Sequence, residues 1–272
     1  MTTYPWRHVL ITGAAGGLGK ALAEACAGPG ATLHLCDLQA ESLAEVAQLC
    51  AARGAQVTQA VLDVSDADGM SEWISGAGPL DLVIANAGVL GEIGAPFECP
   101  EQARRILDTN VRGMFNTALP AIAAMAKQAP GPDGLRGRIA VISSILAFVP
   151  APMAPAYSAS KSAIQSWAEA MDGNERARGI RLHAVCPGYI RTELSAANTT
   201  PMPLIMRASR AARLTLEGIA AGRTRVAFPR RVHLGVRIIG ALPPDLRNAL
   251  IGWLQRWHVR RMKKAAALSD QG

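Results

Sequence analysis

His8-Val-Leu-Ile-Thr-Gly-Ala-Ala-Gly-Gly-Leu-Gly19 decides how this chain is read. His8–Thr12 is a short apolar run of strand type, and the glycines after it lead into a helical pattern from about Leu18 to Cys26. A strand that turns through glycines into a helix brings backbone close to a pyrophosphate, with free N–H groups and a partial positive charge facing it. A glycine loop alone also fits an ordinary tight turn; its place directly after a strand favours dinucleotide binding. Thr32–Asp37 reads as the second strand, and Asp37 ends it 18 residues beyond Gly19. A carboxylate there accepts both ribose hydroxyls of an adenosine and repels a 2′-phosphate. No Lys or Arg adjoins Asp37 or stands within the loop, so NAD is favoured over NADP. The alternative is that Asp37 only caps the turn that follows.

Outward from this stretch, short apolar runs alternate with longer helical patterns. Strands are predicted at Gln56–Leu62, Leu80–Ala85, Gly137–Ser143, Ile180–Val185 and Arg223–Pro229. Helices are predicted over Glu41–Arg53, 66–75, 101–127, 158–178 and Ser209–Ala221. Strands separated by helical crossovers imply a parallel sheet, and continuously apolar strands imply burial on both faces. The expected class is therefore α/β: a Rossmann-type doubly wound parallel sheet with helices on both faces. One domain over 1–230 is expected, with a substrate lid at about 195–215, followed by a basic helical extension over 231–272.

A second cluster lies further along. Tyr157-Ser-Ala-Ser-Lys161 places Tyr and Lys at i and i+4, on one helix face. Ser144 stands thirteen residues before Tyr157, and Asn110 on the preceding long helix. Asn86-Ala87-Gly88 follows the fourth strand, and Pro187-Gly188 the sixth, with Thr192 beyond. In order and spacing these motifs resemble the compact one-domain branch of the short-chain dehydrogenase/reductase family, over roughly residues 7–195. The resemblance implies an NAD-dependent oxidoreductase that interconverts a secondary alcohol and a ketone. It implies that Gly13, Gly17 and Gly19 cradle the pyrophosphate, with Leu18 near the phosphate on the nicotinamide side. Asp63, with Val64 beside it, would meet the adenine edge; Asn86, Ala87 and Gly88 would flank the ribose and hold the central strand. Pro187, Gly188, Ile190 and Thr192 would orient the nicotinamide. Tyr157 would be the general acid/base, Lys161 its activator and a ribose ligand, Ser144 a donor to the substrate oxygen. Asn110 would hold a water linking Lys161 to solvent. A free tyrosine titrates near ~10, and a neighbouring ammonium is expected to pull that value down.

Leu146, Phe148, Tyr189, Met202 and Met206 are candidate walls of an apolar substrate pocket, each equally compatible with ordinary core packing. An epimerase or dehydratase acting on a nucleotide sugar fits less well, because little chain is left for a substrate domain. A non-catalytic dinucleotide sensor or membrane-surface scaffold would not need Tyr157. The family's habit of pairing through long helices implies a homodimer or homotetramer.

Composition bounds the rest. The 272 residues are 50% hydrophobic and 18% charged, which excludes disorder. The net charge of +7 is unevenly spread. Residues 1–206 hold 14 Lys+Arg and 18 Asp+Glu, whereas 207–264 hold 14 Lys+Arg against only Glu217 and Asp245. In the basic part, Leu246, Ala249, Leu250, Trp253, Leu254 and Trp257 form one apolar helical stripe. Three occupants stand open for it: the protein's own body or a second subunit, an anionic membrane surface, or nucleic acid. No nucleic-acid module surrounds the basic residues, so nucleic acid is not expected as a partner. Five widely spaced cysteines without a Cys-x-x-Cys pair suit buried thiols in a reducing cytoplasm and offer no metal site. The N-terminus reads as lacking a secretory signal. The expected location is cytoplasmic, with peripheral membrane contact as the open variant.

Overall fold

The computed structural model describes residues 4–91, 98–192 and 204–254. Its main sheet has seven strands: β1 (His8–Thr12), β2 (Thr32–Asp37), β3 (Gln56–Val61), β4 (Leu82–Ala85), β5 (Gly137–Ile142), β6 (Ile180–Pro187) and β9 (Arg225–Phe228). Their order is β3-β2-β1-β4-β5-β6-β9, with every pairing parallel. A separate two-stranded sheet pairs β7 (Ile190–Arg191) with β8 (Met206–Arg207).

Alternate strand residues enter opposite cores. Val9, Ile11, Leu33, Leu35, Leu82 and Ile84 pack on one face, against α1 (Gly17–Cys26), α2 (Ala40–Ala51) and α7 (Ala208–Ala220). Leu10, Val83, Ile139, Val141 and Leu182 pack on the other, against α3 (Ala67–Gly76), α5 (Gly113–Met125) and α6 (Pro155–Glu175). Each such side chain contributes about 1.5–3 kcal/mol on leaving water, which is why these strands are apolar throughout. β3 is the exception, because it is an edge strand; Gln56, Thr58 and Gln59 are exposed there. The strand order reverses between β1 and β4, and the crevice beyond their carboxyl ends is where this topology binds ligands.

The helix predicted over 101–127 is three pieces: α4 (Pro100–Leu107), a π turn (Asp108–Arg112) and α5. The Gly113 N–H reaches the Asp108 carbonyl five residues back, and the widened turn carries Asn110 inward. α6 begins at Pro155, earlier than predicted, because proline suits a first helical position. The part of the expected lid that falls on 208–215 is instead α7, with Ala211, Ala212 and Thr215 fully buried. Residues 195–203 of that lid lie outside the described residues. Three cysteines, Cys36, Cys50 and Cys186, are buried as expected, but Cys99 is exposed.

Two further helices follow β9: α8 (Arg230–Gly240) and α9, described over 244–254. α8 is docked rather than detached. Its His233 ring meets the Phe148 ring at 4.7 Å, and a Cβ on Gly240 would overlap the Phe148 carbonyl oxygen.

At the opposite end of α6, Asp172 is buried. It accepts bonds from Arg181 Nε (2.7 Å), Arg176 Nη2 (2.7 Å), Thr224 Oγ1 (2.7 Å) and the Leu182 N–H (3.0 Å). Burial alone would raise its pKa; the bonds from Arg181, Thr224, Arg176 and Leu182 outweigh it and hold the carboxyl far below the usual range. A folded-state pKa below the unfolded one means stability that is full above about pH 4 and lost as pH falls through the folded value. Asp172→Asn should therefore cost about 3 kcal/mol at neutral pH in urea unfolding, and the gap to the wild type should close under acid.

Candidate active site

The glycine loop is stitched to β4 by one threonine and one asparagine. The Asn86 amide donates to the Thr12 carbonyl (3.0 Å) and the Gly13 carbonyl (2.9 Å). Thr12 Oγ1 in turn accepts the N–H groups of Asn86 (3.1 Å) and Ala87 (3.2 Å). Gly13 and Gly17 have φ of +66° and +54°, a backbone that other residues resist. A Cβ on Gly13 would lie 2.8 Å from the Ala87 Cα, and one on Gly19 would overlap the Gly13 carbonyl oxygen. Gly13 and Gly19 thus serve the close packing of loop on sheet, while a Cβ on Gly17 would point at the Thr192 methyl, 3.1 Å away. Leu18 is buried in the core, so only its backbone faces the loop. α1 starts at Gly17 with no side-chain cap and no acidic residue in its first turn. Such an uncompensated helix start suits an anion. A cradle of this shape fits a dinucleotide pyrophosphate.

Asp37 is fixed by the loop itself: Oδ2 accepts the Ala15 N–H (2.9 Å) and Oδ1 the Gln39 N–H (3.2 Å). It therefore caps the next turn and faces the loop at once, and each oxygen keeps acceptor capacity. Asp63 is exposed, with Oδ1 accepting the Ser65 N–H (2.8 Å). The Val64 side chain is buried against Gly113.

The second group of residues meets across β5 and α6. Ser144 Oγ accepts the Leu146 N–H (3.1 Å) and stands by the Tyr157 phenol, whose pKa it lowers. Lys161 is buried; Nζ donates to the Ile142 carbonyl (2.9 Å) and lies 5.6 Å from the Tyr157 ring centroid. A Cβ on Gly88 would sit 3.1 Å from Asn110 Oδ1 and 3.3 Å from Lys161 Nζ, so glycine alone leaves room for both. Burial lowers the Lys161 pKa to about 8. Burial also raises that of Tyr157; the Ser144 hydrogen bond opposes the rise and nearby Tyr189 adds to it. The expected lowering by Lys161 does not decide the phenol's value, which burial raises against the opposing hydrogen bond of Ser144.

Asn110 is held by three hydrogen bonds. Its Oδ1 accepts the Val89 N–H (2.8 Å), and its Nδ2 donates to the Val89 carbonyl (3.0 Å) and Ser160 Oγ (3.1 Å). Ser160 Oγ donates to the Tyr157 carbonyl (2.7 Å). The side chain is thus a brace between the chain after β4 and the turn carrying Tyr157. Ser160, Thr12, Ser143 and Glu98 were not singled out in the sequence. Ser143 Oγ donates to the Lys161 carbonyl (2.8 Å), and Glu98 accepts the Ala156 N–H (3.0 Å) at the start of α6. Only the Ser-rich surroundings of Tyr157 hinted at the first.

The chain after β6 closes the site. The Gly188 N–H donates to the Phe228 carbonyl (2.7 Å), Ile190 pairs with Met206, and Thr192 reaches Gly17. Of the expected pocket walls, Leu146 and Tyr189 are half-buried near Ser144 and Tyr157. Phe148 meets the Arg225 guanidinium (5.0 Å) and the His233 ring, and Met206 belongs to the core against α1 and α7. Met202 lies outside the described residues.

The depressed pKa of Lys161 carries a sign. Below about pH 8 the buried ammonium penalises the folded state, and the penalty fades as pH rises toward ~10.4. Lys161→Met should then stabilise the ligand-free protein at pH 7 by about 3 kcal/mol, with the gain gone near pH 11 in thermal unfolding.

Known proteins are similar to this chain in sequence and fold. The family model described as short chain dehydrogenase matches residues 7–202. An uncharacterized oxidoreductase of Myxococcus xanthus is 34% identical over 253 residues, covering 92% of this chain and 98% of that protein. A 3-dehydrosphinganine reductase of Arabidopsis thaliana is 31% identical over 239 residues, covering 81% and 69% of the two chains. The crystal structure of a 3-oxoacyl-[acyl-carrier protein] reductase with bound NAD from Brucella melitensis superposes with a TM-score of 0.68 at 28% identity, covering 82% of this chain and 89% of that one. The chain belongs to the short-chain dehydrogenase family of oxidoreductases.

Proposed function

We propose that the protein interconverts a secondary alcohol and a ketone with NAD(H), and that its substrate is apolar. The observation that carries this reading is the buried Lys161 ammonium 5.6 Å from the Tyr157 ring, with Ser144 beside that phenol, at the sheet end where Thr192 meets the glycine loop. A nicotinamide bound there would supply or accept hydride at its ring. In reduction, the Tyr157 hydroxyl gives its proton to the oxygen of the former carbonyl; in oxidation, the phenolate takes the alcohol proton. Ser144 donates to the same oxygen and stabilises the charge that develops on it. Lys161, with a pKa of about 8, exchanges protons near neutrality and favours the phenolate when it carries charge. Asn110 and Ser160 hold the tyrosine's turn in place.

For the cofactor, Gly13, Gly17, Leu18 and Gly19 present backbone to the pyrophosphate, and Asp37 accepts the adenosine ribose hydroxyls. Asp63 and Val64 border the adenine, Asn86, Ala87 and Gly88 the ribose, and Pro187, Gly188, Ile190 and Thr192 the nicotinamide. The NAD bound to the Brucella reductase supports the cofactor class, and the Asp37 carboxylate supports NAD over NADP. Leu146 and Tyr189 supply apolar walls beside the reacting oxygen. A homo-oligomer built on the long helices completes the reading.

Tyr157→Phe should lower kcat/KM by about 1000-fold or more while leaving the Kd for NADH within a factor of about two, read by NADH fluorescence. Substantial residual turnover in that variant would remove Tyr157 as the acid/base. NADH should bind the wild type more tightly than NADPH, and Asp37→Ala should erode that preference by about tenfold. Tighter NADPH binding by the wild type would reverse the cofactor assignment.

A further inference from the structure

Surface helices normally turn their apolar stripe to the body of the protein. α8 obeys this in part, with Val232, Val236 and Ile239 half-buried on the side opposite its arginines, yet α8 and α9 both leave large apolar side chains in solvent. None of the α8 side chains is buried. Its exposed residues are Arg230, Arg231, Leu234, Arg237 and Ile238, with Leu234 at 62% and Ile238 at 59%. At about 100° per residue these five fall within one arc of about 120°, in the order Arg237, Arg230, Leu234, Ile238, Arg231. An apolar pair thus stands between arginines on both sides. The inward face of the helix carries His233 and Gly240, the two residues seated on Phe148. α9 adds to this exposed apolar surface. Leu246, Trp253 and Leu254 of its stripe are exposed, while Arg247 points back and donates to the Gly240 carbonyl (3.5 Å). Of the described stripe residues, only Leu250 is half-buried; the others face solvent.

The position of this surface matters as much as its composition. Phe148 is the last residue of the 3-10 turn Ile145–Phe148, which follows Ser144 directly. Arg225, paired with Glu169 of α6, also meets the Phe148 ring, 5.0 Å from its centroid. The outward-facing apolar residues therefore ride on a helix anchored to the turn that borders the reacting hydroxyls.

We infer that α8 and α9 seat the protein on an anionic lipid surface, placing the rim of the active site against the bilayer so that apolar alcohols or ketones enter from it. The charge balance selects this occupant: 207–264 holds 14 Lys+Arg against Glu217 and Asp245. Leucine, isoleucine and tryptophan enter the headgroup–acyl boundary, while flanking arginines meet lipid phosphates. A second copy docking through the same face would set Arg230, Arg231 and Arg237 against their own counterparts, a like-charge juxtaposition that opposes pairing. No described helix is long and apolar enough to cross a membrane, so the contact lies on the surface. The delivery of substrate rests on the oxidoreductase reading above; the docking does not.

The test uses the full chain. It should sediment with phosphatidylcholine vesicles containing phosphatidylglycerol, be released by high salt, and ignore vesicles of phosphatidylcholine alone. The double variant Leu234→Ser/Ile238→Ser keeps the charge and alters only exposed positions. It should bind anionic vesicles about tenfold or more weakly, yet oxidise a water-soluble secondary alcohol with NAD as the wild type does. It should also lose the wild type's advantage on a long-chain alcohol presented in anionic vesicles. A wild type that stays in the supernatant overturns the proposal, as does a double variant with unchanged vesicle binding. A variant that changes the oligomeric state without changing vesicle binding assigns the face to a second subunit instead. Vesicle binding with no turnover of any alcohol would leave the docking intact and remove the oxidoreductase reading.

Discussion

Lys161 is tied to the end of β5 twice. Its ammonium donates to the Ile142 carbonyl, and its own carbonyl accepts the Ser143 hydroxyl. These two bonds fix α6 against β5 at one height, and the rest of the site follows from that height. Ser144, the next residue on the strand side, meets Tyr157, one turn earlier on the helix side. Asn110 then braces the same turn through Ser160, and Gly88 leaves the space in which Asn110 and Lys161 lie side by side. The arrangement keeps a cation out of water, which costs stability below about pH 8. Function, not folding, accounts for a lysine there.

The cofactor side depends on a different kind of constraint, close approach without side chains. Gly13 and Gly19 allow the loop to lie against itself and against Ala87, and Asn86 holds the result by bonding two successive carbonyls. Asp37 is drawn into this loop by the Ala15 N–H, so the acidic group and the free helix start occupy fixed positions before any ligand arrives. Thr192 brings the chain after β6 over Gly17, which joins the nucleotide cradle to the end of the sheet carrying Ser144.

Much of this was legible in the sequence because its signals are local. Glycines directly after an apolar run, an acid ending the next strand, and a Tyr and Lys one helical turn apart each report geometry within a few residues. What was not legible rests on pairing across long separations or on small changes of winding. The π turn at Asp108–Arg112 leaves the apolar pattern of its neighbours almost unaltered, yet it decides that Asn110 points inward. Glu98 caps α6 from 58 residues away, which no capping motif announces. Met206 reads equally as pocket or core, and only its pairing with Ile190 under α7 places it in the core. For α9 the periodicity shows that one face is apolar; which way that face turns is set by Arg247 and the seat of α8 on Phe148.

The pairing of Ser144 with Tyr157 is the centre of the account, and the pH dependence of alcohol oxidation tests it most directly. Ser144 opposes the rise that burial imposes on the tyrosine's pKa, so its hydroxyl should favour the phenolate that removes the alcohol proton. The profile of kcat/KM against pH with NAD should rise through a single ionisation, and Ser144→Ala should move that ionisation to higher pH as well as lowering the plateau. A profile whose midpoint is the same with and without the Ser144 hydroxyl would contradict the assignment.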